Sequence, residues 1–90
     1  MRYRNKIAAA LASACVAMSA MADEIPIDQL PGEVRSAIEH RFPRAEFLEA
    51  NRLLQDGRTK YDVEIGHGGK RYEVEIWADG IIIDIDPDLF

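Results

Sequence analysis

Between Lys60 and Asp86 the chain alternates apolar and polar residues in three runs separated by glycine turns. Tyr61, Val63 and Ile65 alternate with Asp62 and Glu64. Tyr72, Val74 and Ile76 alternate with Glu73, Glu75 and Trp77. Ile81, Ile83 and Ile85 alternate with Ile82, Asp84 and Asp86. A period of two in β-branched and aromatic residues predicts a half-buried antiparallel sheet, one face on a core and the other open. The first two runs share the pattern Y-[DE]-V-E-I, as similar arms of one hairpin do.

Upstream the period changes. Val34, Ile38 and Phe42 recur every fourth residue with Ala37 between them, the apolar stripe of a helix. Pro31 suits the first helical position, where a missing N–H leaves nothing unpaired. His40 and Arg41 complement the dipole at the far end, and Pro43 disfavours helical geometry at Phe42. A helix this short is marginal in isolation and needs a sheet to lie on. Residues 45–55 read as a strand closed by Asp56-Gly57. If Leu48, Ala50 and Leu54 face the core, Arg52 does too, unless a bulge or a change of face intervenes near Arg52. The expected fold is α+β: one N-terminal helix packed on one face of a small antiparallel sheet of three to four strands. Residues 23–30 form an extended lead-in and 31–90 the domain.

Turn chemistry sets the registers. Asp79-Gly80 is a two-residue hairpin signal. It places Ile76 opposite Ile83, Val74 opposite Ile85, Trp77 opposite Ile82, Glu75 opposite Asp84 and Glu73 opposite Asp86. The preceding hairpin has two candidate tips. Gly68-Gly69 suits the positive φ of a type I′ turn and sets Glu64 against Glu73 and Asp62 against Glu75. His67-Gly68 would set Glu64 against Arg71 and Lys60 against Glu75. The diglycine is favoured, because cross-strand pairs contribute only ~0.2–1 kcal/mol.

Composition adds a compartment. Arg2, Arg4 and Lys6 precede a short apolar run at 7–18, and Ala20-Met21-Ala22 offers a small-residue cleavage site. Residues 1–22 therefore read as a secretory signal peptide, with the product periplasmic or secreted. The apolar run is shorter than the ~20 residues of a membrane span, so no stable membrane insertion is expected after cleavage. Cys15, the sole cysteine, lies inside this segment; lipidation there is the weaker alternative. Residues 23–90 hold 8 Lys and Arg against 16 Asp and Glu, a formal charge of −8. That excludes nucleic acid and anionic membrane surfaces as natural partners, since both attract basic patches.

Leu30-Pro31, Val34, Ile38, Phe42-Pro43 and Ala45 form an LPxxVxxxIxxxFPxA opening. It is followed by Tyr61-x-Val63-x-Ile65, a glycine turn, Tyr72-x-Val74-x-Ile76 and Asp79-Gly80. Over Gln29 to Asp86 the chain resembles the secreted PepSY-like domains, related to the PepSY and beta-lactamase-inhibitor-like group. The resemblance implies a helix on a small antiparallel sheet, export, and binding or inhibition of peptidases. It brings no catalytic residues.

The candidate partner-binding residues are those of the open face: Asp62, Glu64, Glu73, Glu75, Asp84 and Asp86, with Trp77 and Ile82 as an apolar anchor beside them. Three readings stand. The face is a docking surface for a protein or peptide with a basic patch, with Trp77 supplying the aromatic contact such interfaces favour. It is a cation-binding or cation-responsive surface, since hard cations take several oxygen ligands. Or it is a solvated strand face that resists aggregation. A homodimer is also open. No cofactor and no metal ligand set is expected, because His40 and His67 lack further ligands. Ser36 and Thr59 stand in no nucleophile motif, so no enzyme is expected.

Overall fold

The computed structural model describes residues 22–88. The expected signal peptide falls outside them except for Ala22. The chain forms β1 (Asp23–Ile25), a 3₁₀ turn (Ile27–Gln29), α1 (Gly32–Arg41), β2 (Glu46–Gln55), β3 (Arg58–His67), β4 (Lys70–Trp77) and β5 (Ile82–Pro87). The strands make one antiparallel sheet in the order β1-β2-β3-β4-β5.

This corrects the expected fold. The sheet has five strands rather than three or four, and the helix is not N-terminal, because β1 precedes it. Strands hold 55% of the described residues and helix 19%, so the molecule is built chiefly on its sheet. The presumed lead-in supplies the fifth strand. β2 has an outer edge with unpaired backbone groups, and Asp23, Glu24 and Ile25 pair with Arg52, Asn51 and Ala50 along it. Pro26 then ends the strand, and Ile25 enters the core.

The helix begins at Gly32, with Pro31 as the extended residue before it. Its first bond runs from the Arg35 N–H to the Pro31 carbonyl, 3.0 Å. It ends before Pro43, and the Phe42 N–H closes on the Ile38 carbonyl at 2.7 Å. Val34 and Ile38 are fully buried. With Val63, Ile65, Val74 and Ile76, also at zero exposure, they form the centre of the core. Phe42, Tyr61, Leu30 and Ala50 complete it. The core is thus the predicted helix stripe set on one side of β3 and β4.

The β3–β4 hairpin turns at Gly68-Gly69, with φ 61° and 78°. Ile65 faces Tyr72, Val63 faces Val74, Glu64 faces Glu73 and Asp62 faces Glu75. Two bulges differ from expectation. In β2 the irregularity lies between Phe47 and Glu49, upstream of Arg52. Phe47 and Ala50 therefore share the core face, while Leu48 and Leu54 stay 37% and 51% exposed. Arg52 does share the face of Ala50, but out at the sheet margin, where it is exposed and 3.8 Å from Asp23.

The second bulge lies in β5. The Gly80 N–H bonds the Trp77 carbonyl and the Trp77 N–H bonds the Ile81 carbonyl, both at 2.9 Å. The loop is therefore Ala78-Asp79-Gly80, a three-residue turn with Gly80 at φ 94°. Ile76 pairs with Ile82, and Ile83 is the extra residue before Glu75 pairs with Asp84. Val74–Ile85, Glu75–Asp84 and Glu73–Asp86 fall as predicted, whereas Ile76–Ile83 and Trp77–Ile82 do not form. Ile81 and Ile83 are left 59% and 42% exposed.

Candidate functional site

The open face is organised as rows across the strands. One row runs Glu49, Glu64, Glu73, Asp86 through β2, β3, β4 and β5. The next runs Glu24, Asn51, Asp62, Glu75, Asp84. The registers set five like-charge pairs directly opposite one another: Glu49–Glu64, Glu64–Glu73, Glu73–Asp86, Asp62–Glu75 and Glu75–Asp84. Each such pair opposes folding by roughly 0.2–1 kcal/mol. A shallow depression of about 130 Å³ lies among Glu49, Asn51, Asp62, Glu64, Glu73 and Asp88.

Crowding shows in the protonation of these groups. Burial, then the facing Glu75 charge, holds the Asp62 carboxyl above its ordinary range, against the pull of Lys60. Burial, then the charges of Asp62, Asp86, Asp88 and Glu75, does the same to Glu73. Glu64 is raised chiefly by a side-chain hydrogen bond with Asp88, which outweighs the Arg71 guanidinium 3.3 Å away. Asp86 is raised by a hydrogen bond with Asp84 and by that group's charge.

Cations close one end of the face. Lys60 pairs with Glu75. The Arg58 guanidinium lies 3.9 Å from the centre of the Trp77 ring and 4.0 Å from Asp79. The Lys60 ammonium lies 5.9 Å from the same ring. Trp77 is therefore half-buried beneath two cations, which changes its expected part as an open anchor.

Of the sequence-derived site residues, Asp62, Glu64, Glu73, Glu75, Asp84 and Asp86 come together on this face. Trp77 sits at its margin. Ile82 does not belong to it: the β5 bulge turns it opposite Ile76, and it packs against the core. Glu49, Asn51 and Asp88 join the acids without having been anticipated. Glu49 and Asn51 alternate with Ala50, but the bulge at Leu48 hides that phase. Arg58 and Lys60 were legible as the continuation of the Asp62, Glu64 alternation one turn further back.

Among the described residues no three His, Cys, Asp or Glu side chains converge to hold a metal ion, and no helix is long and apolar enough to cross a membrane. The acids lie on a shallow strand surface rather than in a water-excluding pocket of the kind catalysis uses. No family model, curated protein or solved structure matches the chain.

Proposed function

We propose that the protein is an exported, non-catalytic binding module whose open sheet face receives a basic segment of another protein or peptide. The observation that carries this reading is the pair of acidic rows. Five facing carboxylate pairs are set on the strands, and the cations beside them, Arg71 and Lys60, pair with Glu64 and Glu75. Folding does not require them, since the opposite face holds the core. A cationic partner would relieve the repulsion, and desolvating charge-assisted contacts are among the stronger hydrogen bonds. Two copies placed face to face would set acid against acid, so a different, basic chain fits better than a homodimer. Peptidase binding or inhibition is the finer reading, supported by the resemblance to PepSY-like domains.

Calorimetric titration with a synthetic alternating Lys-Val peptide at about 0.15 M salt tests this. Glu73→Gln/Asp86→Asn should weaken binding about tenfold. The charge-matched pair Glu33→Gln/Glu39→Gln, on the helix, should leave it unchanged. Equal weakening by both pairs would mean that net charge alone attracts the peptide, and the docking face would be refuted.

A further inference from the structure

β5 lies at one edge of the sheet, and among the described residues no strand pairs with its outer side. Its bonds to β4 fix which way its backbone groups point. The Asp88 N–H donates to the Arg71 carbonyl at 2.8 Å. Along an antiparallel strand, successive residues direct their backbone groups to opposite sides. Asp84 and Asp86, paired with Glu75 and Glu73, therefore point theirs at β4, as Asp88 does. Ile85 and Pro87 point theirs outward, and Pro87 has no N–H to leave unpaired. The free edge thus offers the Ile85 N–H, the Ile85 carbonyl and the Pro87 carbonyl.

The side chains of this edge say what kind of strand it accepts. Asp84 and Asp86 are the last members of the two acidic rows, so both rows run out to the free edge. Between them Ile85 turns to the covered face and packs against the core. Ile81 and Ile83 leave apolar surface exposed nearby. A second copy fits poorly. Antiparallel pairing of two β5 strands about Ile85 would set Asp84 opposite Asp86 twice, and like charges directly opposite are destabilising. β1 of a second copy offers only three residues, and its open-face side chain is Glu24. The bulge at Ile83 and the proline at 87 keep the pairing stretch short, which also deters self-association. The acids that repel a copy select a strand with cations at alternate positions.

We infer that a basic segment of the partner binds as an additional antiparallel strand on the free edge of β5. Its residue opposite Ile85 exchanges two backbone hydrogen bonds with Ile85, and the residue two before it donates an N–H to the Pro87 carbonyl. The cations on either side of that central residue stand opposite Asp84 and Asp86 and continue both rows with the opposite charge. Main-chain bonds supply affinity in such strand addition, and alternate side chains supply specificity. This mode rests on the docking role of the acidic rows and gives the docked chain its conformation and its place.

Two N-methylated forms of the alternating Lys-Val peptide test it by calorimetric titration. With a valine opposite Ile85, the valine backbone groups face β5 and the lysine backbone groups face solvent. Methyl groups on the valine nitrogens remove the donors to β5 and should weaken binding about tenfold. Methyl groups on the lysine nitrogens keep those donors and the same charge, and should leave affinity unchanged. Amide exchange gives a second reading: the Ile85 N–H should exchange freely in the protein alone and slow about tenfold at peptide saturation. Equal affinity of the two methylated peptides, with Glu73→Gln/Asp86→Asn still weakening both, would overturn the added strand and leave the acidic rows as a docking face. Indifference of every peptide to Glu73→Gln/Asp86→Asn would remove the docking reading and the added strand with it. An Ile85 amide already protected in the protein alone would mean that the chain itself or a second copy covers the edge, and would overturn the added strand too.

Discussion

The two faces of this sheet are made by alternate residues of the same strands, and they do opposite things to stability. On the covered face Val63, Ile65, Val74 and Ile76 are wholly buried against Val34 and Ile38. On the open face, one residue along, Asp62, Glu64, Glu73 and Glu75 stand opposite one another as like charges. Burying a Val or Ile side chain contributes ~1.5–3 kcal/mol, whereas each facing acid pair opposes folding by less than about 1 kcal/mol. The covered face can therefore carry the open one. In a domain this small the margin is narrow, and a surface that erodes it points to a use outside folding.

The comparison breaks most sharply at the core. Ile38→Ala should destabilise by ~2–5 kcal/mol and bring the domain close to unfolding, with Ile38→Val at ~0.5–1.5 kcal/mol as the graded control. Urea denaturation reads both. A cost below that of the valine variant for Ile38→Ala would mean the helix is not a working half of the core.

Next in size is the seam where sheet meets helix. Gly80 has φ 94°, and a Cβ there would come 3.0 Å from the Glu33 carbonyl oxygen. Gly80→Ala should cost ~1–3 kcal/mol. Gly57, with φ 76° but open space around it, should lose less on the same substitution. Equal losses at the two sites would show that backbone conformation alone is felt there, and not the approach to the helix.

On the open face the sign reverses. Glu73→Gln should stabilise the protein by ~0.2–1 kcal/mol, because it removes a charge from between Glu64 and Asp86. Loss of stability in that variant would show the acids to be mutually supported.

The smallest effect is with pH. The raised groups, Asp62, Glu64, Glu73 and Asp86, start from ordinary values of 3.8 and 4.5. Their folded values lie above these, so the folded state binds protons more tightly than the unfolded one. Their stabilising contribution is complete below the ordinary values and is lost as pH rises through the raised ones. The melting temperature should therefore rise as pH falls from neutrality into the range where these carboxyls titrate, less so in Glu73→Gln. A melting temperature that falls steadily over that range would reverse the assignment.

How much of this was legible in the sequence follows from how local each signal is. The stripe of Val34, Ile38 and Phe42 and the alternation of β3 and β4 are properties of single segments, and they locate the core. Gly68-Gly69 carries its turn type in its own backbone freedom, so that register was readable too. β1 was not: Asp23-Glu24-Ile25 is too short for a period, and only the open edge of β2 makes it a strand. The bulges at Leu48 and Ile83 were hidden for a related reason. An extra residue changes the phase without changing composition, and this moved Ile82 from the open face to the core. The six predicted acids survived because they lie on β3, β4 and the part of β5 beyond its bulge. The face that Arg58 and Lys60 share with Asp62 and Glu64 was readable from the alternation, but their approach to Trp77 needed β3 and β4 paired, since the ring comes from a separate run.

The central claim is that the acidic rows, and not the protein's charge at large, receive a basic chain. Mapping amide shifts on addition of the alternating Lys-Val peptide tests it most directly. The perturbed amides should cluster at Asp62, Glu64, Glu73, Glu75, Asp84 and Asp86, while residues 32–41 of α1 stay unmoved. Shifts centred on α1, or spread evenly over every exposed acid from Glu24 to Asp88, would contradict it.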